Sequence, residues 1–146
     1  DLINFNLIPI MFSKFLEGYD VVCASRFMEG GEFKNAPIVK SILVKIVSFV
    51  ISNFTKLPTK DPTNGFRLFS NDFLKKYPIN SKNGFTYAIE LLSKAYRNGY
   101  KIVEIPEKWP LRIYGKSKFK YSSIIYYFPW FVMILLPNFK KKRKSD

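Results

Sequence analysis

Residues 19–25, Tyr-Asp-Val-Val-Cys-Ala-Ser, form an almost unbroken apolar run with β-branched side chains. A strand that is apolar at consecutive rather than alternate positions needs cover on both faces, as strands in α/β proteins have. The flanking sequence supplies covers. Leu7, Ile8, Ile10, Met11, Phe15 and Leu16 recur at helical spacing, and Gly18 ends that helix as a C′ glycine. Downstream, residues 38–54 have the length of a helix and are apolar almost all round, apart from a thin strip of Lys40, Ser41, Lys45 and Ser48. Such a helix is either deeply buried or lies in a membrane interface with its lysines at the headgroups.

The remaining elements alternate. Residues 66–69 read as a short strand, and Ser70 can cap a short helix running to Tyr77. Phe85, Ile89, Leu92 and Tyr96 stripe a further helix closed by Gly99, and residues 100–105 alternate up to Pro106 as a strand does. The order predicts an α/β fold. Gly30-Gly31 marks a flexible loop between the first strand and the long helix.

Composition narrows the chemistry. The chain has 146 residues, one domain at most, and is too apolar for disorder at 47% hydrophobic. No histidine and a single cysteine exclude histidine-based triads, zinc sites and disulfide scaffolds, and Cys23 reads as a buried reduced thiol. The net charge of +13 predicts an anionic partner: nucleic acid, a phosphorylated substrate or an acidic membrane. That charge is lopsided, because residues 1–33 carry net −3 and the remainder net +16. The partner is therefore expected on the second part of the chain.

Residues 121–139 contain no charge, and residues 140–144 are five consecutive bases. The apolar part, 124–136, would cover about 20 Å as a helix and has Pro129 in its middle, short of the roughly 30 Å of a bilayer core. An interfacial or re-entrant segment is expected before a spanning one, with its basic tail on an anionic, cytoplasmic leaflet. A packed core helix with a solvated tail is the alternative.

Three clusters could carry chemistry. Arg26 follows the first strand and precedes Gly30-Gly31, and ligand sites in α/β sheets open at the carboxyl ends of strands. Asp61-Pro62-Thr63-Asn64-Gly65-Phe66-Arg67 joins a turn, a glycine and a guanidinium able to grip phosphate. Arg112-Ile113-Tyr114-Gly115-Lys116-Ser117-Lys118 is a basic loop suited to closing over a diphosphate, although not a P-loop. Each has a plainer reading: a surface charge at Arg26, an Asp-Pro turn in which Asp61 bonds its own loop, and a solvated loop. Glu90, the only acid in the 85–98 helix, reads most simply as an i,i+4 partner of Lys94.

In this order the clusters are far more specific. Gly18-Tyr19-Asp20-Val21-Val22-Cys23-Ala24-Ser25-Arg26-Phe27-Met28-Glu29-Gly30-Gly31, the Asp61 to Arg67 motif, Phe85-Thr86-Tyr87-Ala88-Ile89-Glu90 and Arg112 to Phe119 together resemble the family-2 glycosyltransferases of the dolichol-phosphate mannosyltransferase type. The resemblance implies a GT-A, Rossmann-like fold, present as a fragment lacking its N-terminal nucleotide-binding half. It covers 1–120 as the C-terminal part of the catalytic domain, including a membrane-facing helix at 38–54, with 121–146 as an interfacial or transmembrane segment and basic tail.

The implied reaction is inverting transfer of a sugar from a nucleotide sugar to a polyprenyl (dolichyl or undecaprenyl) phosphate, at the cytoplasmic face of the membrane. Arg67, Arg112, Asp61 and Glu90 fall on catalytic positions, and Arg26, Lys40, Lys45, Ser117 and Lys118 on phosphate-binding ones. Lys40 and Lys45 stand where the family tends to have arginine, which keeps the charge but weakens a bidentate grip. A divalent metal, Mg2+ or Mn2+, is implied, mostly held by an Asp-X-Asp motif at or just before Asp1. A phosphate nucleophile is already ionised, so no general base is needed, and the position of the base used on hydroxyl acceptors falls near Ala88. Two other readings stand beside this one. The first is a catalytically inactive membrane-associated fragment; the second, a basic nucleic-acid-binding module, is disfavoured because no nucleic-acid motif is present.

Overall fold

The computed structural model describes residues 4–33, 38–108 and 123–136. Within them the chain is α/β. The order is α1 (Leu7–Leu16), β1 (Val21–Ser25), α2 (Ile38–Phe54), β2 (Arg67–Phe69), α3 (Asn71–Lys76), α4 (Thr86–Arg97), β3 (Ile102–Pro106) and α5 (Ile124–Leu135).

The apolar run is the centre of the sheet. β1 lies between the other two strands, antiparallel to β2 and parallel to β3, and all five of its residues are buried. Its alternation divides two cores. Val21 and Cys23 face a larger cluster with Ile51, Phe73, Ile89, Leu92, Tyr100 and Ile102. Val22 and Ala24 face a smaller one with Leu7, Met11 and Ile105. That is the two-sided burial expected of a continuous apolar strand. The antiparallel pairing of β2 is not visible in its three residues and follows from where the 58–65 loop delivers them.

Local signals set the helix ends. Ser70 Oγ accepts from the Phe73 backbone N–H (3.3 Å) and caps α3. Gly99, at φ 71°, closes α4 in a conformation that a side chain would strain. The Gly30-Gly31 loop is not the flexible hinge its composition suggests. A Cβ on Gly31 would stand 2.6 Å from the Ser25 carbonyl oxygen, so the loop folds tightly back on the end of β1.

Neither apolar helix at the periphery is deeply buried. Only Ser48 and Ile51 of α2 are buried, while Ile38, Val39, Ile42, Ile46 and Phe49 are exposed. α5 packs on α4, and its Ile134 enters the larger core beside Trp130 and Phe131. Its Ile125, Phe128 and Leu136 remain exposed. Among the described residues no helix is long and apolar enough to cross a membrane.

Candidate functional site

The carboxyl ends of the parallel pair β1 and β3 lie side by side and are extended by a bridge from Glu32 to Lys108. The 58–65 loop closes over this edge, so the first two sequence clusters meet there. Arg26 leaves the end of β1 and is almost fully buried, and Asp61 is completely so. Arg26 Nε donates to Asp61 Oδ2 (2.6 Å), Nη2 to Oδ1 (2.8 Å), and the Arg26 backbone N–H to Oδ2 (3.1 Å). Thr63 Oγ1 accepts from Arg26 Nη2 (3.1 Å) and donates to Asp61 Oδ1 (3.2 Å). The guanidinium also lies 4.6 Å from the Phe33 ring centre and 5.6 Å from that of Phe27. Charge, fork geometry and aromatic faces thus fix Arg26 from several sides.

The Asp61 turn is more than an Asx turn, because its carboxylate neutralises the arginine at the strand end. Asn64 adds the second tie. Its Nδ2 donates to the Ala24 carbonyl (2.9 Å) and to Glu107 Oε2, and its Oδ1 accepts from the Phe66 backbone N–H (3.1 Å). Glu107, just beyond β3, is nearly buried, and its backbone N–H donates to the Ser25 carbonyl (2.8 Å). Burial pushes its carboxyl up from the ordinary range, opposed by the Asn64 hydrogen bond and the Arg26 charge, with Asp61 adding to the rise.

Arg67 performs a different task. Its Nη1 donates to the Ala88 carbonyl, and its Nη2 to the carbonyls of Asp61 (3.1 Å) and Pro62 (2.8 Å). One side chain on β2 therefore ties the 58–65 loop to α4. Among the described residues its Nε is buried without a hydrogen-bond partner, and no carboxylate pairs with it. Cys23 lies beside it, free and buried, with its thiol pushed up to about 11 by burial and partly drawn back by the Arg67 charge.

Glu90 stands apart from this edge. It is completely buried and pairs with Lys94 Nζ, as its i,i+4 spacing suggests, while accepting from the backbone N–H groups of Asn80 and Ser81 (both 2.7 Å). Burial pushes this carboxyl up, but the hydrogen bonds from Lys94, Ser81 and Asn80 outweigh it and hold the group below the ordinary range. Lys94 also donates to the Pro78 carbonyl (2.7 Å). The pair fastens the segment before α4 to the helix.

Of the remaining candidates, Lys45 lies beside Phe27 and Lys60 on a cavity against α2, and Lys40 is outside that lining. Arg112, Ser117 and Lys118, like Asp1 and the basic tail, lie outside the described residues. Among the described residues, no group of three or more acids and thiols could hold a metal ion. Sequence reasoning named neither Glu107 nor Lys60, and gave Asn64, Thr63 and Ser48 no role. Glu107 had one signal, an acid directly after a strand that ends in Pro106.

An α/β unit with a small mixed sheet, its loops gathered at one strand edge, is compatible with part of a glycosyltransferase domain. Comparison with known proteins narrows that class. The chain is 28% identical over 109 residues to polyprenol monophosphomannose synthase of Mycolicibacterium smegmatis, covering 73% of this chain and 41% of that protein. It is 28% identical over 125 residues to dolichol-phosphate mannosyltransferase of Pyrococcus furiosus, covering 83% and 34% respectively. It is also 31% identical over 111 residues to an uncharacterized protein of Methanocaldococcus jannaschii, covering 75% and 44%. No family model matches. The chain is thus a relative of the dolichol-phosphate mannosyltransferase type of glycosyltransferase, and it spans less than half the length of these proteins.

Proposed function

We propose that the protein to which this chain belongs transfers a sugar from a nucleotide sugar to a polyprenyl phosphate, with inversion, at the cytoplasmic surface of a membrane. The observation that carries this reading is the convergence of the Ser25-Arg26 and Asp61 to Arg67 motifs on one strand edge, in a chain related to enzymes of that name. In this reading the acceptor phosphate oxygen attacks the sugar's C1 as the bond to the nucleoside diphosphate breaks, and that diphosphate leaves with the bonding pair. An ionised phosphate supplies its own nucleophile, so the step draws no proton from the chain. The Ala88 carbonyl, taken by Arg67, marks where the base for a hydroxyl acceptor would be expected, and an alanine fits a base-free reaction.

In this reading the residues take the roles that the resemblance implies. Arg67 and Arg112 stabilise the charge developing on the leaving diphosphate. Asp61 orients Arg26, and Glu90 positions the segment before α4. Lys40, Lys45, Ser117 and Lys118 meet phosphate oxygens, whereas Arg26, expected among them, is buried with its guanidinium on Asp61 and joins the 58–65 loop to the sheet. The divalent metal that the reading implies finds no ligand set among the described residues, and no step is derived through it. The exposed apolar faces of α2 and α5 support attachment at a bilayer surface, peripheral or with a single anchoring segment.

The test is transfer of radiolabelled sugar from a panel of nucleotide sugars to polyprenyl phosphate by the full-length protein. A labelled lipid that survives mild base and is released by mild acid is the expected product. No labelled lipid from any donor would overturn the reading.

A further inference from the structure

We propose that the cavity between the 80–86 segment and α5 binds a neutral hexopyranose, held by the Asn80 and Asn83 amides against the rings of Tyr126 and Trp130. The proposal goes beyond sugar transfer and does not rest on it. The cavity measures about 300 Å3, and its walls include Asn80, Lys82, Asn83, Thr86, Tyr126 and Trp130. That is the small end of small-molecule pockets and suits one ring rather than a chain. Thr86 and Ala88 are about 200° apart around α4, and Ala88 is the residue whose carbonyl meets Arg67. The cavity therefore opens on a different flank of α4 from the strand edge.

Its aromatic wall is built in advance. Tyr126 and Trp130 are four residues apart and share one flank of α5. Trp130 packs against the larger core, and Lys94 Nζ lies 5.6 Å from its ring centre. Lys94 is itself tied to Glu90 and to the Pro78 carbonyl (2.7 Å). A ring held in this way costs a ligand little ordering. The C–H face of a pyranose packs on such rings, while its hydroxyls call for donors and acceptors at the edge.

Asn80 and Asn83 supply both, since each amide carries two donors and an acceptor. Among the described residues neither amide bonds a protein group. The groups that would greet an anion are already taken. The Asn80 and Ser81 backbone N–H groups donate to Glu90 (both 2.7 Å), and the Thr86 N–H (3.1 Å) and hydroxyl (2.6 Å) to the Asn83 carbonyl. Lys82 alone brings a charge to these walls. One exposed ammonium is a poor phosphate seat once those donors are spent, whereas amides beside ring faces match a neutral polyol.

The experiment titrates the full-length protein with a panel of methyl hexopyranosides, and floats it on phosphatidylcholine vesicles carrying either glucosyl diacylglycerol or plain diacylglycerol. At least one glycoside is expected to bind with a Kd of about 1 mM, and Asn83→Ala and Tyr126→Ala each to weaken it about fivefold. Neither variant should lower the melting temperature, since both side chains are exposed. Saturation by a free glycoside marks a soluble saccharide as the source, and binding of the glycolipid alone marks a lipid-borne one; either keeps the site. Binding in neither form, or wild-type affinity in both variants, overturns the proposal. So does displacement of the glycoside by inorganic phosphate at equal concentration, which would make the cavity an anion seat. Sugar transfer separates the two readings: both variants should keep the wild-type KM for the nucleotide sugar. A KM raised in step with the lost glycoside affinity would make the cavity the donor's own subsite and remove it as a separate one. Glycoside binding lost in the variants, in a protein that transfers sugar from no donor, removes the transferase reading and retains the cavity.

Discussion

Arg26 and Lys60 are each one residue from the other's surroundings, yet they live under opposite electrostatic conditions. Arg26 is buried against the Asp61 carboxylate, whereas Lys60, the residue before Asp61, lines the α2 cavity beside Lys45; its backbone N–H donates to Glu104 Oε2 (2.8 Å), but among the described residues its ammonium has no ion-pair partner. Phe27, the residue after Arg26, lines that same cavity. The charge that is answered internally joins the loop to the sheet. The charge left unanswered is the one an anion can find. Net charge alone does not distinguish them, because +13 counts each base equally.

The strongest way to break the contrast is Asp61→Ala. Removing the carboxylate strands a buried guanidinium, and stability should fall by about 3–5 kcal/mol in urea unfolding. A loss below about 1 kcal/mol would mean that Arg26 is as available as the lysines across the loop.

Arg67 tests whether a loop clasp is also part of the reaction. Arg67→Ala leaves three carbonyls without their donor and should cost about 2–3 kcal/mol. This differs from the small stability effect expected of a pure phosphate ligand. Turnover in the transfer assay should fall roughly 100-fold if the same guanidinium also stabilises the leaving diphosphate. A stability loss with wild-type turnover of the folded fraction would make it a clasp alone.

Two buried acids sharpen the comparison through pH. Glu90 is held below its ordinary 4.5, so its contribution to stability is present above that value and lost as pH falls through the lowered one. Glu90→Gln should lower neutral-pH stability by about 1–2 kcal/mol and flatten that acid limb, while leaving substantial transfer activity. Glu107 runs the other way. Its carboxyl is raised, so its contribution is present below 4.5 and lost as pH rises through the raised value. Glu107→Gln should remove that decline, read as a smaller drop in the urea midpoint between pH 4 and neutrality.

The smallest effect on folding belongs to the bare face of α2. Replacing Ile42, Ile46 and Phe49 by serine should change stability by no more than about 0.5 kcal/mol per site, because all three are exposed. Binding to anionic vesicles should nonetheless weaken severalfold in a flotation assay. Unchanged flotation would leave α5 or the basic tail as the attachment.

Much of this architecture is legible in the order of the residues alone. The apolar run at 19–25 dictates a strand covered twice, since consecutive buried positions leave no face for water. Helical spacing, Ser70 and the closing glycines put the helices within a residue or two of their final ends, because periodicity and caps are local properties. The order of the Arg26, Asp61 and Arg67 motifs is enough to point to a family. What no local rule supplies is the partner of each charge. That Asp61 reaches across 35 residues to Arg26, that Arg67 binds carbonyls, and that the buried Ser48 hydroxyl meets no partner among the described residues depend on which loops the sheet brings together. Pairing is a through-space quantity that falls off over a few ångströms. Residue type and spacing along the chain leave it open until the tertiary structure closes the distance.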